Sequence, residues 1–176
     1  MQFVKYKFSI LAICETWETN LNVDVFQIPG YVKVSSPRLS GVGGGIALFI
    51  KDGINFKVRN DLILDDGIVD KSCECIFIEI HNAKKQRMII GELYRPPNHD
   101  VDEFNVSFNT LLTKLKKENV IFLFAGDYNI NLINHGTHKG SEHIPNQLFF
   151  HLCLPSITKP TRFTSNSSTL IDKKYI

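Results

Sequence analysis

The sequence predicts an α/β protein in which two β-sheets pack face to face with helices outside them. Three observations point there. Short apolar runs rich in β-branched and aromatic residues recur along the chain, as strands do. One segment carries clear helical periodicity and a second carries it weakly. Strands therefore outnumber helices and alternate with them only in part, which favours packed sheets over a simple doubly wound sheet.

The elements follow in order. Residues 8–14 (FSILAIC) read as a buried strand that delivers Glu15 at its end. Ile28-Pro29-Gly30 is a turn, and residues 31–35 form a short strand. Residues 39–45 (LSGVGGG) make a flexible turn whose glycines admit positive φ. Residues 46–50 are strand-like, Lys51-Asp52-Gly53 closes them, and residues 56–58 are expected to pair with them. Residues 61–71 form an acidic loop; residues 73–80 and 87–93 are strands joined by the polar turn 82–86.

Phe104, Phe108, Leu111, Leu112 and Leu115 recur at helical spacing, after Asp100 and Glu103 at capping-box spacing. Lys114, Lys116, Lys117 and Glu118 lie mostly off that stripe and read as a solvated face. Residues 120–125 (VIFLFA) are nearly all apolar and predict a strand buried on both faces. A weaker helix is expected over residues 144–152, and residues 170–176 begin a further strand.

The chain of 176 residues suits one domain, 1–176, with a real core. Its 43% hydrophobic and 22% charged content excludes the disordered and fibrous classes. A net charge of +2 permits nucleic-acid binding without arguing for it. Four cysteines, Cys14, Cys73, Cys75 and Cys153, make no disulfide framework, so a reduced intracellular setting, nuclear or cytoplasmic, is expected. Cys73 and Cys75 are same-face neighbours of a strand, and no second pair completes a zinc site. No run reaches the ~18 apolar residues of a membrane helix. The basic, then apolar opening lacks a small-residue cleavage site, so it reads as a strand rather than a signal peptide.

Gly126-Asp127-Tyr128-Asn129-Ile130-Asn131 follows the buried strand. Alternation along an extended backbone would point Asp127 and Asn129 the same way. Such a pair can hold one water or one metal against a phosphate; read alone, it equally suits a turn. Glu15, Tyr94, Asp172 and Thr161-Arg162 also stand at junctions of loop and strand. Singly, Glu15 and Asp172 read as surface carboxylates and Tyr94 as a packing residue. Trp17 reads as a packing anchor at the pocket rim, and His135, His138 and His143 as a solvated loop rather than zinc ligands. Together, the carboxylates, amide and phenol suit phosphate-ester hydrolysis. Carboxylates bind Mg²⁺ with waters retained, and the metal stabilises phosphoryl charge and activates water.

Six segments occur in a fixed order: ETW, the Gly-rich turn before IALFIK, YRPPN, GDYNIN, KPTRFT and STLID. From about Phe8 to Asp172 the chain resembles the endonuclease/exonuclease/phosphatase superfamily. More narrowly, it is similar to the AP-endonuclease-like domain of non-LTR retrotransposons. The resemblance implies a DNase I-like four-layer α/β sandwich of two mixed sheets flanked by helices. It implies a phosphodiesterase dependent on Mg²⁺, or Mn²⁺, that nicks DNA without a membrane or an obligate protein partner. By the same resemblance Glu15 binds the metal, and Asp127 orients or deprotonates the attacking water. Asn129 holds that water and a phosphate oxygen, Tyr94 contacts the scissile phosphate, and Asp172 partners a catalytic histidine. Arg162 lies in a hairpin region that touches the DNA backbone.

The resemblance also implies an earlier strand with an active-site asparagine and a later one with a Ser-Asp-His segment. Neither is found here, and Lys173 and Lys174 follow Asp172 in a strand expected to be partly buried. The domain is therefore expected to be incomplete at both termini. A catalytically inactive remnant is the alternative, as is a phosphoesterase of the same superfamily acting on a phosphoinositide, an RNA tail or a nucleotide.

Overall fold

The computed structural model describes residues 8–19, 22, 26–38, 43–63, 73–131, 143–165 and 167–175. The strands are β1 (Ile10–Cys14), β2 (Tyr31–Ser36), β3 (Ile46–Lys51), β4 (Phe56–Val58), β5 (Glu74–His81) and β6 (Arg87–Tyr94). They continue with β7 (Ile121–Asp127), β8 (Arg162–Phe163), β9 (Ser168–Thr169) and β10 (Asp172–Tyr175); the helices are α1 (Val101–Glu118) and α2 (His143–Phe150). One sheet has the order β1-β3-β2 and is antiparallel throughout. The other has the order β10-β7-β6-β5-β4 and is mixed, because α1 carries the chain from β6 across to a parallel β7. Of the two expected mixed sheets, one is mixed. β8 and β9 form a separate hairpin.

The two-residue period of the strands divides the apolar residues between two cores. Ile46, Leu48 and Ile50 of β3 meet Ile76, Ile78 and Ile90 between the sheets. Cys75, Phe77, Ile89, Leu93 and Phe124 point the other way, under Phe104, Phe108, Leu111, Leu112 and Leu115 of α1. Cys73 shares that helix-side core with Cys75, and burial pushes its thiol well above the ordinary range.

Helix α1 begins as its spacing requires: the Asp100 carboxylate accepts from the backbone N–H groups of Asp102 and Glu103. It ends on Asn119 in the left-handed conformation, at φ 51° and ψ 48°. Glu118 is not part of a solvated face. It accepts from Arg59, which is buried and also pairs with Asp61 and Glu79, and Arg87 joins Glu79 and Glu118.

Four expectations change. Residues 56–58 pair with β5, not with β3, so β4 closes the far edge of the larger sheet. β7 is only partly buried: Ile121 is 40% exposed while Phe124 is buried. Its helix side is covered, whereas Ala125 and Gly126 face an inter-sheet cavity. β1 is likewise half-buried, because it is an edge strand of the smaller sheet. β10 starts at Asp172 and runs through both lysines to the buried Tyr175.

Residues 39–42 of the Gly-rich turn, 64–72 of the acidic loop, His135 and His138 lie outside the described residues, as do residues 1–7. His143 is the exposed first residue of α2. Among the described residues, no helix is long and apolar enough to cross a membrane.

Candidate active site

Four strands bring polar residues to one level of the larger sheet. Asp172 pairs in register with Asp127, Asp127 with Tyr94, and Tyr94 with Glu74. A carboxylate, a second carboxylate, a phenol and a third carboxylate thus form a row across β10, β7, β6 and β5. The smaller sheet adds Glu15, which accepts a hydrogen bond from the Tyr94 hydroxyl. The structure therefore brings Glu15, Tyr94, Asp127 and Asp172 together, with Asn129 beside Asp127.

The glycine before Asp127 is required. Gly126 has φ +153°, and a Cβ there would lie 1.7 Å from the Leu93 carbonyl oxygen. β7 can reach β6 at this level only without a side chain. Tyr128 then points into the helix-side core, its ring 5.4 Å from Phe104 and 5.7 Å from Phe108. That anchor fixes the turn carrying Asp127 and Asn129.

Strand alternation does not relate those two residues. Asn129 is left-handed, at φ 49°, and its N–H donates to Asp127 Oδ1 at 2.8 Å. The motif is an Asx turn in which the carboxylate caps the backbone two residues on. The Asn129 Nδ2 donates to the Arg95 carbonyl at 2.9 Å. An amide has a second N–H and a carbonyl oxygen beyond that bond.

Sequence reasoning missed Arg95. It is buried, and its guanidinium donates to the carbonyls of Tyr128 at 2.7 Å, Asn129 at 3.0 Å and His99. The five donors of one guanidinium thereby clamp the GDYN turn to the start of the Pro-Pro loop. An arginine set between a strand-end tyrosine and a Pro-Pro pair was the available signal.

Glu15 is exposed and ionised. Burial alone would raise its carboxyl, but the Tyr94 hydroxyl, the Gly44 N–H at 2.8 Å, the Trp17 indole and the Arg38 charge hold it below the ordinary range. Burial, and then Glu15 itself, push the Tyr94 hydroxyl up, so Tyr94 is a neutral donor. Trp17 is not a packing anchor: it is 61% exposed. Glu15 and Trp17 both have left-handed backbones, with φ 56° and 57°. With Asn129 they make three non-glycine residues of positive φ at one site, a clustering that marks it as a candidate functional site.

Glu74 was also missed, although a glutamate opening the apolar run ECIFIEI was visible. It is buried, accepts from Arg38 Nε and from the Gly45 N–H, both at 2.7 Å, and stands next to Tyr94 in register. At the other end of the row, Asp172 is exposed and its N–H donates to Thr161 Oγ1 at 3.3 Å. Arg162, next to Thr161, sits exposed on β8.

Asp127 and Asp172 also border the cavity between the sheets, a space of about 800 Å³. Leu11, Ile13, Phe26 and Ile28 supply apolar walls, and Glu92 supplies a buried carboxyl. One Glu92 oxygen accepts from the Cys14 thiol at 3.3 Å, and the other has no partner. Burial pushes the Glu92 carboxyl up to about 8.

The donor set suits a hard cation. Glu15 offers an exposed carboxylate, and Mg²⁺ binds through one or two carboxylates while keeping several waters. Among the described residues, no group of three or more His, Cys, Asp or Glu side chains forms a ready cage. A site built on one carboxylate and water is compatible with that.

No protein-family model and no curated protein sequence matches this chain. Solved structures do. The chain is similar to the endonuclease domain of TRAS1, a telomere-specific non-LTR retrotransposon, with a TM-score of 0.68 and 14% identity over 95% of this chain and 71% of that one. It is similar to an AP endonuclease of Leishmania major, with a TM-score of 0.69 and 13% identity over 97% of this chain and 70% of that one. It is also similar to the catalytic domain of human nocturnin, with a TM-score of 0.63 and 16% identity over 95% and 68% of the two chains. The chain has the α/β sandwich of these endonuclease/exonuclease/phosphatase structures.

Proposed function

We propose that this chain is a phosphodiesterase of the AP-endonuclease-like type that nicks DNA, derived from a non-LTR retrotransposon. The observation that carries the reading is the hydrogen bond from Tyr94 to Glu15, set in register beside Asp127 and Asp172. Among the structural neighbours, an AP endonuclease and a retrotransposon endonuclease support DNA as the substrate.

Each residue has a part. Glu15 would hold the cation, and bound Mg²⁺ or Mn²⁺ would supply charge stabilisation to the phosphoryl oxygens. Asp127, fixed by the Asx turn, takes the proton of the attacking water. Asn129 offers its remaining amide donor to that water or to a phosphate oxygen. Tyr94 holds Glu15 through its single O–H and would turn that donor to the scissile phosphate once a cation takes the Glu15 carboxylate, and Arg162 adds a cation for the DNA backbone.

The test is nicking of supercoiled plasmid, with and without a synthetic abasic site, in Mg²⁺. Wild type is expected to relax the plasmid, and Asp127→Ala to abolish the reaction. Intact plasmid with wild type, or equal nicking by Asp127→Ala, would sink the reading. Cleavage of a mononucleotide or an RNA tail in place of DNA would move the chain to another phosphoesterase class of the same fold.

A further inference from the structure

Glu15 and Glu74 are held by consecutive amides of one turn: Gly44 N–H donates to Glu15 Oε2 at 2.8 Å, and Gly45 N–H to Glu74 Oε2 at 2.7 Å. Two carboxylates are thus set side by side, yet their surroundings differ. Glu15 is exposed and takes the Tyr94 hydroxyl. Glu74 is buried, and its other oxygen takes Arg38 Nε at 2.7 Å.

Arg38 reaches across both arrangements. Its Cζ lies 5.7 Å from the centroid of the Tyr94 ring, in cation–π contact with the residue that bonds Glu15. The turn is built against it: a Cβ on Gly44 would fall 2.3 Å from Arg38 Cζ, at a φ of +75°. Tyr94, Glu15, Gly44, Gly45, Glu74 and Arg38 therefore close a ring of contacts in which Arg38 is the cation.

We infer that Arg38 is a positioning residue of the candidate site: by pairing with Glu74 it withholds that carboxylate from the cation and leaves Glu15 to bind it. The inference rests on the reading of Glu15 given above. Its physical basis is the cost of a buried, unpaired carboxylate. Without Arg38, Glu74 must protonate or share a cation, and Glu15, held by the neighbouring amide, offers one to share. Two carboxylates on one hard cation bind it more tightly and strip more of its water than one does. Arg38 thus keeps the bound cation loosely held and hydrated, with positions open for water and phosphate.

Terbium tests this without reference to nicking. Tb³⁺ is a hard cation, and Trp17, the single tryptophan of the sequence, stands two residues from Glu15 to sensitise its luminescence. Arg38→Gln is expected to bind Tb³⁺ at least about tenfold tighter than wild type, by recruitment of a second carboxylate. Glu74→Gln alone should change affinity by less than about twofold, whereas in the Arg38→Gln background it should cancel the gain; this is a coupled double-mutant cycle. Arg38→Lys, which keeps a cation on Glu74, should stay near wild type. Additive effects of the two substitutions would overturn the inference, as would no gain in Arg38→Gln. If Arg38→Gln fails to fold, Glu74→Gln decides alone. A loss above about fivefold would mean that Glu74 already ligates the cation beside Arg38, and would overturn the proposal. Glu15→Gln separates the two readings: luminescence surviving it would remove Glu15 as the cation ligand, whatever the Arg38 cycle shows.

Discussion

Asp127 and Asp172 face each other as register partners of the antiparallel strands β7 and β10. Two carboxylates directly opposite across a sheet repel, at about 0.2–1 kcal/mol. The fold tolerates this where the proposed chemistry needs acceptors. Asp127→Asn should therefore hold or slightly raise the thermal midpoint while plasmid nicking falls by about 10²-fold or more, as for loss of a general base. Lower stability with nicking intact would assign the pair to architecture alone.

The Tyr94 hydroxyl is the largest favourable influence on the Glu15 carboxylate. Tyr94→Phe removes it and leaves the buried ring in place. Glu15 then protonates at higher pH, so the acid limb of the nicking profile moves upward. At the pH optimum the loss of one O–H donor should cost about 10²-fold in rate. An unmoved acid limb would separate Glu15 from the pH dependence.

Glu92 makes stability depend on pH in the opposite sense to an ordinary paired carboxylate. Its carboxyl is raised from 4.5 to about 8 by burial. It therefore contributes fully below its unfolded value and loses that contribution as pH climbs through its folded value. At ~1.4 kcal/mol per tenfold in proton affinity, the loss across that window is on the order of 5 kcal/mol. Urea titrations at pH 5 and pH 9 should show wild type losing stability and Glu92→Gln remaining nearly flat. A wild-type curve without slope would place water beside the carboxyl.

Arg59 ties the end of α1 to β5 through Glu118 and Glu79. Arg59→Leu leaves carboxylates unpaired and should cost about 2–3 kcal/mol at neutral pH, a value below that of a fully buried pair because Asp61 is largely exposed. Asp61 is held at about 2, against an ordinary 3.8, chiefly by Arg59. Its share of stability is present above the ordinary value and fades as pH falls toward the lowered one. The variant should lack that acid limb in a melt series from pH 5 to pH 2.

The periodic features and the polar residues at strand ends were legible because each rests on local spacing. The stripe of α1, the cap at Asp100, the Gly-rich turn before β3 and the polar junctions at Glu15, Tyr94, Asp127 and Asp172 all follow from residues close in sequence. The partner of residues 56–58 was not legible: three residues carry no register of their own, and β5, far along the chain, decides it. Glu74 and Arg38 were hidden for a related reason. Their roles exist only once 36 positions of chain bring them together. Asn129 was placed correctly beside Asp127 but for the wrong reason, since a side-chain cap overrode alternation. Arg95 shows the converse, a charged side chain spent on backbone carbonyls.

Glu15, Trp17 and Asn129 each occupy backbone geometry that glycine would adopt at no steric cost. Selection for heat resistance and selection for the proposed cleavage would therefore pull apart at these positions. A library screened for stability alone would drift toward glycine at Glu15 and Trp17, and less so at Asn129, whose amide also bonds the Arg95 carbonyl. Retention of the present side chains at those positions under such screening would show that they contribute to stability and not to the proposed cleavage alone.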